Sequence, residues 1–139
     1  MRLRQRIDPG EYTGTAEFFI DTEKSIVGKL MGSDCGNNME QMKAGIVDII
    51  TIEDFVESER LERVDYIKAD IEGDERDMLK GAMRTLRKFS PKLSLREYHL
   101  KDDTEVLERL ILYANPNYAL DTNIRKYTLM YRNKKFYYN

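Results

Sequence analysis

Asp70, Glu72 and His99 are the residues of this chain whose types and placement suit chemistry. The two carboxylates close the apolar run Val64-Asp65-Tyr66-Ile67-Lys68-Ala69, and Gly73 follows them directly. Open parallel sheets take their ligands just beyond the carboxyl ends of the strands, so acids delivered there mark a candidate site. If the chain stays extended through this turn, Asp70 and Glu72, two apart, face the same side. His99 is the sole histidine and ends the next strand-like run, Lys92 to His99. Neighbouring strands lie about 4.8 Å apart, which would let His99 face the same crevice as Asp70. A histidine beside carboxylates suits a general base or a metal ligand.

Each of these residues also has a structural reading. Acids ahead of a helix cap its free amides and complement its dipole, which is the alternative for Glu72. A lone histidine is often a packed, hydrogen-bonded side chain. Two acids and a histidine would also suit a hard cation such as Mg²⁺. A calcium loop fails on spacing, because Gly73 comes fourth from Asp70 instead of sixth and Gly81 stands twelfth, where a glutamate belongs. Gly28 to Gly36 spells neither a phosphate-binding nor a dinucleotide-binding glycine motif. Cys35 lies in that same loop with nothing to orient it toward His99, so a nucleophile–base pair is not expected. Lys80, Arg84, Arg87 and Lys88 read as a solvated helix face.

The elements that must position these residues are clearest in the middle of the chain. After Gly73, Met78, Leu79, Ala82, Met83 and Leu86 form one apolar stripe and predict a single helix. Its acids lie in the first turns and its bases in the last, as the macrodipole favours. Ser90-Pro91 ends it. Val64 to His99 is thus the size of one strand–helix–strand unit, whose crossover makes the two strands parallel. A second helix follows, capped by Asp102 or Asp103, with Val106, Leu107, Leu110, Ile111 and Ala114 on its inner face and Asn115-Pro116-Asn117 as its stop. Tyr118–Leu120 and Tyr127–Tyr131 read as a final antiparallel pair.

Upstream, Ala16–Ile20 and Ile46–Ile50 predict strands. Thr51-Ile52-Glu53-Asp54 is a capping box opening a short helix from Glu53 to Arg60 that buries Phe55 and Val56. Gly28–Asn38 reads as a loop, and the tail 133–139 is expected to fray. The fold class is α/β.

With 139 residues the chain makes one modest domain, not two. Charged residues reach 35%, but both signs are interspersed and the net charge is −2, so no basic footprint for nucleic acid exists. One cysteine rules out an internal disulfide. No apolar run approaches the ~20 residues of a membrane span, and Met1–Arg6 is not followed by an apolar signal core. A cytoplasmic protein is expected.

The run Val64–Gly73, followed by Glu75 and Leu79-Lys80-Gly81-Ala82, resembles the hallmark of the FkbM family of S-adenosylmethionine-dependent methyltransferases. Thr51-Ile52-Glu53-Asp54-Phe55 upstream, and Pro91-Lys92-Leu93, Tyr98-His99, Asp102-Asp103 and Asn115-Pro116-Asn117-Tyr118 downstream, extend it over residues 16–132. The resemblance implies the second half of a Rossmann-like methyltransferase sheet, with parallel strands and a C-terminal antiparallel pair. It implies O-methylation of a small-molecule or sugar hydroxyl, with Asp70 and His99 catalytic and Glu72 and Gly73 lining the S-adenosylmethionine pocket.

Family members carry a glycine-rich strand–turn–helix upstream of this region. The segment 1–15 is too short for such a unit, which needs ~30 residues. The expectation is therefore a partial domain, inactive alone, that binds the cofactor poorly. Its uncovered strand edge would pair with itself or with a complementing chain. A non-enzymatic binding module and a small carboxylate metal site remain as alternatives.

Overall fold

A computed structural model describes residues 7–21, 28–30, 41–97, 101–121 and 128–134. Eight strands and four helices follow in the order β1 (Ile7–Pro9), β2 (Gly14–Asp21), β3 (Gly28–Leu30), β4 (Gln41–Ile50), α1 (Ile52–Ser58), β5 (Tyr66–Ala69), α2 (Glu75–Lys80), α3 (Met83–Phe89), β6 (Lys92–Arg96), α4 (Asp103–Ala114), β7 (Tyr118–Leu120) and β8 (Thr128–Asn133). They form two four-stranded sheets, β1-β4-β2-β3 and β5-β6-β8-β7. Among the described residues no helix is long and apolar enough to cross a membrane.

The second sheet carries the candidate site. β5 and β6 are parallel, in register from Tyr66 opposite Lys92 to Ala69 opposite Leu95. β8 runs antiparallel to both β6 and β7. The α/β class, the parallel crossover and the closing antiparallel pair are those expected from the sequence. Alternation along the strands puts Ile67, Ala69, Leu93, Leu95, Leu129 and Tyr131 on one face. There they join Met78, Leu79, Ala82, Leu86, Leu107 and Ile111 from the helices in the main core. Each such side chain, fully withdrawn from water, stabilises the fold by about 1.5–3 kcal/mol.

The predicted helix after Gly73 is two helices. Gly81 and Ala82 interrupt it, and the Ala82 N–H reaches back only three residues, to Leu79 O. The cause is a close approach. A Cβ on Gly81 would lie 2.2 Å from the Gly10 carbonyl oxygen, and the Gly81 carbonyl accepts from the Glu53 N–H at 3.0 Å. The chain before β2 and the start of α1 thus lean on this break. α3 ends at Ser90, in a left-handed conformation, ahead of Pro91.

The capping box is present, with the Asp54 N–H donating to Thr51 Oγ1 at 2.9 Å. α1 buries no residue, however; Ile52 packs against the core, while Phe55 is 42% exposed and Val56 half-buried, because that side of the helix rims an open cavity. Other expectations also shift. Gly28–Leu30 is a strand, paired antiparallel with β2, and residues 31–40 lie outside those described. Asn133 does not fray: it pairs with Tyr118 in β8 and is buried, while the Lys134 N–H donates to Asn117 O.

Candidate functional site

The tip of β5 is shaped by a side chain two residues past the turn. Glu75 is 1% exposed, and its two carboxylate oxygens accept from the Ile71 N–H at 2.9 Å and the Gly73 N–H at 3.1 Å. These bonds curl the chain back into α2. Glu72 sits at φ +57° and Gly73 at φ +106°, both left-handed. The premise of an extended turn, with Asp70 and Glu72 on one side, is therefore wrong: the buried clamp of Glu75 bends the backbone between them. Left-handed geometry suits Gly73 and strains Glu72.

Asp70 stands one residue beyond β5, exposed at the carboxyl end of the sheet. Because β6 runs parallel and alongside, its last residue reaches the same corner. Arg96 Nε donates to Asp70 Oδ2 at 3.2 Å, and each side chain keeps roughly a third of its surface in water, 37% and 35%. Glu97, the next residue, accepts from the Thr104 hydroxyl at 2.7 Å and ties the β6 tip to α4. Arg76 completes the frame. It donates to Asp103, which is 1% exposed, at 3.0 Å and to Asp102 at 2.6 Å, anchoring the start of α4 to α2. The hydrogen bond from Arg76 holds the Asp102 carboxyl below the usual carboxylate range.

The sequence thus placed Asp70 at the end of its strand, where it stands, and did not name Arg96 beside it. Arg96 and Glu97 lie within the run read as a strand, and a cation at the end of the strand beside Asp70 was the available signal. Glu75 was read as an acid of the helix start and as part of the motif, two residues past the glycine, and not as a clamp on the turn. His99 falls outside the described residues, so its distance from Asp70 is not part of this geometry. Among the described residues no three His, Cys, Asp or Glu side chains converge as a metal site would require.

The corner offers a partly exposed carboxylate steadied by a guanidinium. Such a group can orient a substrate hydroxyl and accept its proton. It does not by itself fit S-adenosylmethionine. The Gly73 N–H is already engaged by Glu75, and a cavity of about 520 Å³ lies away from this corner, between α1 and α3, against Val56, Arg60, Leu61, Arg84, Lys88 and Phe89. Small-molecule sites are enclosed hollows with a few convergent polar groups, which the described strand tips alone do not form.

The sequence profile of the methyltransferase FkbM domain matches residues 7–129. The crystal structure of methyltransferase FkbM from Methylobacillus flagellatus KT is similar, with a TM-score of 0.58 and 25% sequence identity. The likeness covers 91% of this chain and 27% of that one, so the chain spans about a quarter of that structure's length. No curated protein matches. By the extent of the profile match, this chain belongs to the FkbM methyltransferase family.

Proposed function

We propose that this chain forms the acceptor side of an S-adenosylmethionine-dependent methyltransferase acting on a hydroxyl oxygen of a small molecule or sugar. The observation that carries the reading is the contact between Asp70 and Arg96 at the paired tips of β5 and β6. Their position, at the carboxyl ends of two parallel strands, is where open α/β sheets bind ligands. On this reading Asp70 holds the acceptor hydroxyl and receives its proton, while Arg96 keeps the carboxylate aimed. Glu75 acts through Asp70 by fixing the turn that follows it. The family implies S-adenosylmethionine as the cofactor. Residues outside this stretch would supply most of its pocket, so the 139-residue chain alone is expected to bind it weakly and to turn over little.

Methyl transfer from labelled S-adenosylmethionine to a panel of hydroxylated acceptors tests the reading, in an intact FkbM methyltransferase substituted at the position that matches Asp70. Loss of a general base typically costs 10²–10⁴ in rate, so Asp70→Ala is expected to lose about a hundredfold or more. Wild-type rates in Asp70→Ala would remove this carboxylate from the reaction. For the cofactor, calorimetric titration of the 139-residue chain with S-adenosylmethionine is expected to give no micromolar binding. Micromolar affinity in a monomer would contradict the division of labour proposed.

A further inference from the structure

Among the described residues β5 is the outer strand of its sheet, with β6 as its one neighbour. In a parallel pair, alternate residues turn both backbone groups toward the partner strand and those between turn them away. The Asp65 carbonyl faces β6, where it accepts from the Lys92 N–H at 2.9 Å. By the same alternation Ile67 and Ala69 face β6, and Tyr66 and Lys68 aim their N–H and C=O groups outward. Side chains alternate too. Ala69 lies in the core with Ile67 packed against it, whereas Tyr66 is 51% exposed and Lys68 is exposed. The edge therefore offers open backbone groups with a ring and an ammonium beside them.

We propose that this edge pairs antiparallel with β5 of a second copy of the chain, about a two-fold axis through Ile67. A two-fold interface must be self-complementary, and the outward-facing residues leave few registers. Centred on Ile67, Tyr66 forms a hydrogen-bonded pair with the partner's Lys68, and Lys68 with the partner's Tyr66. Each ammonium then meets a tyrosine ring, a favourable cation–π arrangement. Asp65 falls opposite the partner's Ala69, so no charge of either sign faces its like across β5.

Other axes fit worse. Moved to Lys68, the axis sets two ammonium groups directly opposite, which is destabilising. Moved to Tyr66, it leaves Lys68 opposite the partner's Val64, without the ring. An edge lysine ordinarily discourages indiscriminate strand pairing; here it discriminates between registers. A four-residue strand buries less than a standard interface, so the dimer is weak and depends on concentration. The inference uses only β5 and stands apart from the methyltransferase reading.

Sedimentation velocity of the 139-residue chain, from low micromolar to near-millimolar concentration, tests it. The wild type is expected to pass from monomer to dimer. Tyr66→Lys places ammonium groups opposite each other and is expected to leave a monomer. Adding Lys68→Glu to it creates two cation–carboxylate pairs in this register and is expected to restore the dimer. Lys68→Pro removes an outward N–H that β6 does not use, so it is expected to abolish the dimer while the monomer melts cooperatively as before. A wild type that stays monomeric throughout overturns the proposal. So does a dimer indifferent to Tyr66→Lys and Lys68→Pro, or a folded double variant that remains monomeric.

Discussion

Two buried tyrosines show how little of a residue's role its type reveals. Tyr118 and Tyr131 are both essentially inaccessible, and burial pushes both phenols upward from their ordinary titration. Tyr118 donates to the Pro91 carbonyl at 2.7 Å, while the Tyr131 hydroxyl finds no hydrogen-bond partner among the described residues. Removing a satisfied hydroxyl costs about 1 kcal/mol, whereas removing an unsatisfied one is neutral or stabilising. Denaturant unfolding is therefore expected to rank Tyr118→Phe below the wild type and Tyr131→Phe level with it or above. Equal losses would mean that Tyr131 has a partner.

Glu75 is the sharper case. Its carboxylate serves two backbone amides at the turn, and hydrogen bonds to charged groups are each worth about 1.5–3 kcal/mol. Glu75→Ala should cost several kcal/mol, and Glu75→Gln, which keeps one acceptor oxygen, less. Amide exchange at Ile71 and Gly73 reads the same bonds directly: both should quicken in Glu75→Ala. Asp70 was legible in the sequence because a strand must end somewhere and an acid marked the place. Arg96 and Glu75 were not, because pairing across strands and a bond backward across a turn leave no periodic trace.

At the scale of elements, periodic features survived the passage from sequence to structure and close approaches did not. The apolar stripe from Met78 to Leu86 runs unbroken through Gly81 and Ala82, so it predicts one helix. The interruption comes from Gly10, seventy-one positions upstream, against which only a glycine fits. Gly81→Ala is expected to destabilise by about 1–3 kcal/mol, the usual cost of overpacking, despite alanine's better helix propensity. A gain in melting temperature would mean that propensity outweighs the contact. Thr51 is the opposite kind of position. Its cap was written in four consecutive residues, and Thr51→Ala should cost about 1 kcal/mol.

At the scale of the whole molecule, the polar links between layers set a pH window. The hydroxyls of Thr13 and Thr51 hold Asp54 below the usual carboxylate range, as Arg76 does Asp102. A carboxyl whose folded pKa is depressed contributes stability above its unfolded value of about 3.9 and loses it as the pH falls further. Both carboxyls are exposed, so the loss on acidification is expected to be modest. Tyr118 and Tyr131 act in the other direction: stability present below about pH 10 is lost above it. Melting temperature should therefore be flat between these limits and fall on both sides. A decline beginning near neutrality would point to other groups.

The fold class and the parallel crossover were readable because they rest on hydrophobic periodicity. The split into two sheets was not, since it depends on pairings between β1, β2 and β4 that no local pattern encodes.

The central claim is that Asp70 and Arg96 act as one unit on the methyl acceptor, and a double-mutant cycle on kcat/KM for methyl transfer, made at the matching positions of an intact FkbM methyltransferase, tests it most directly. Groups that work together are strongly non-additive. Asp70→Ala, Arg96→Ala and the double variant are expected to lose similar factors, with the second substitution adding little to the first. Losses that simply multiply, or full activity in either single variant, would contradict it.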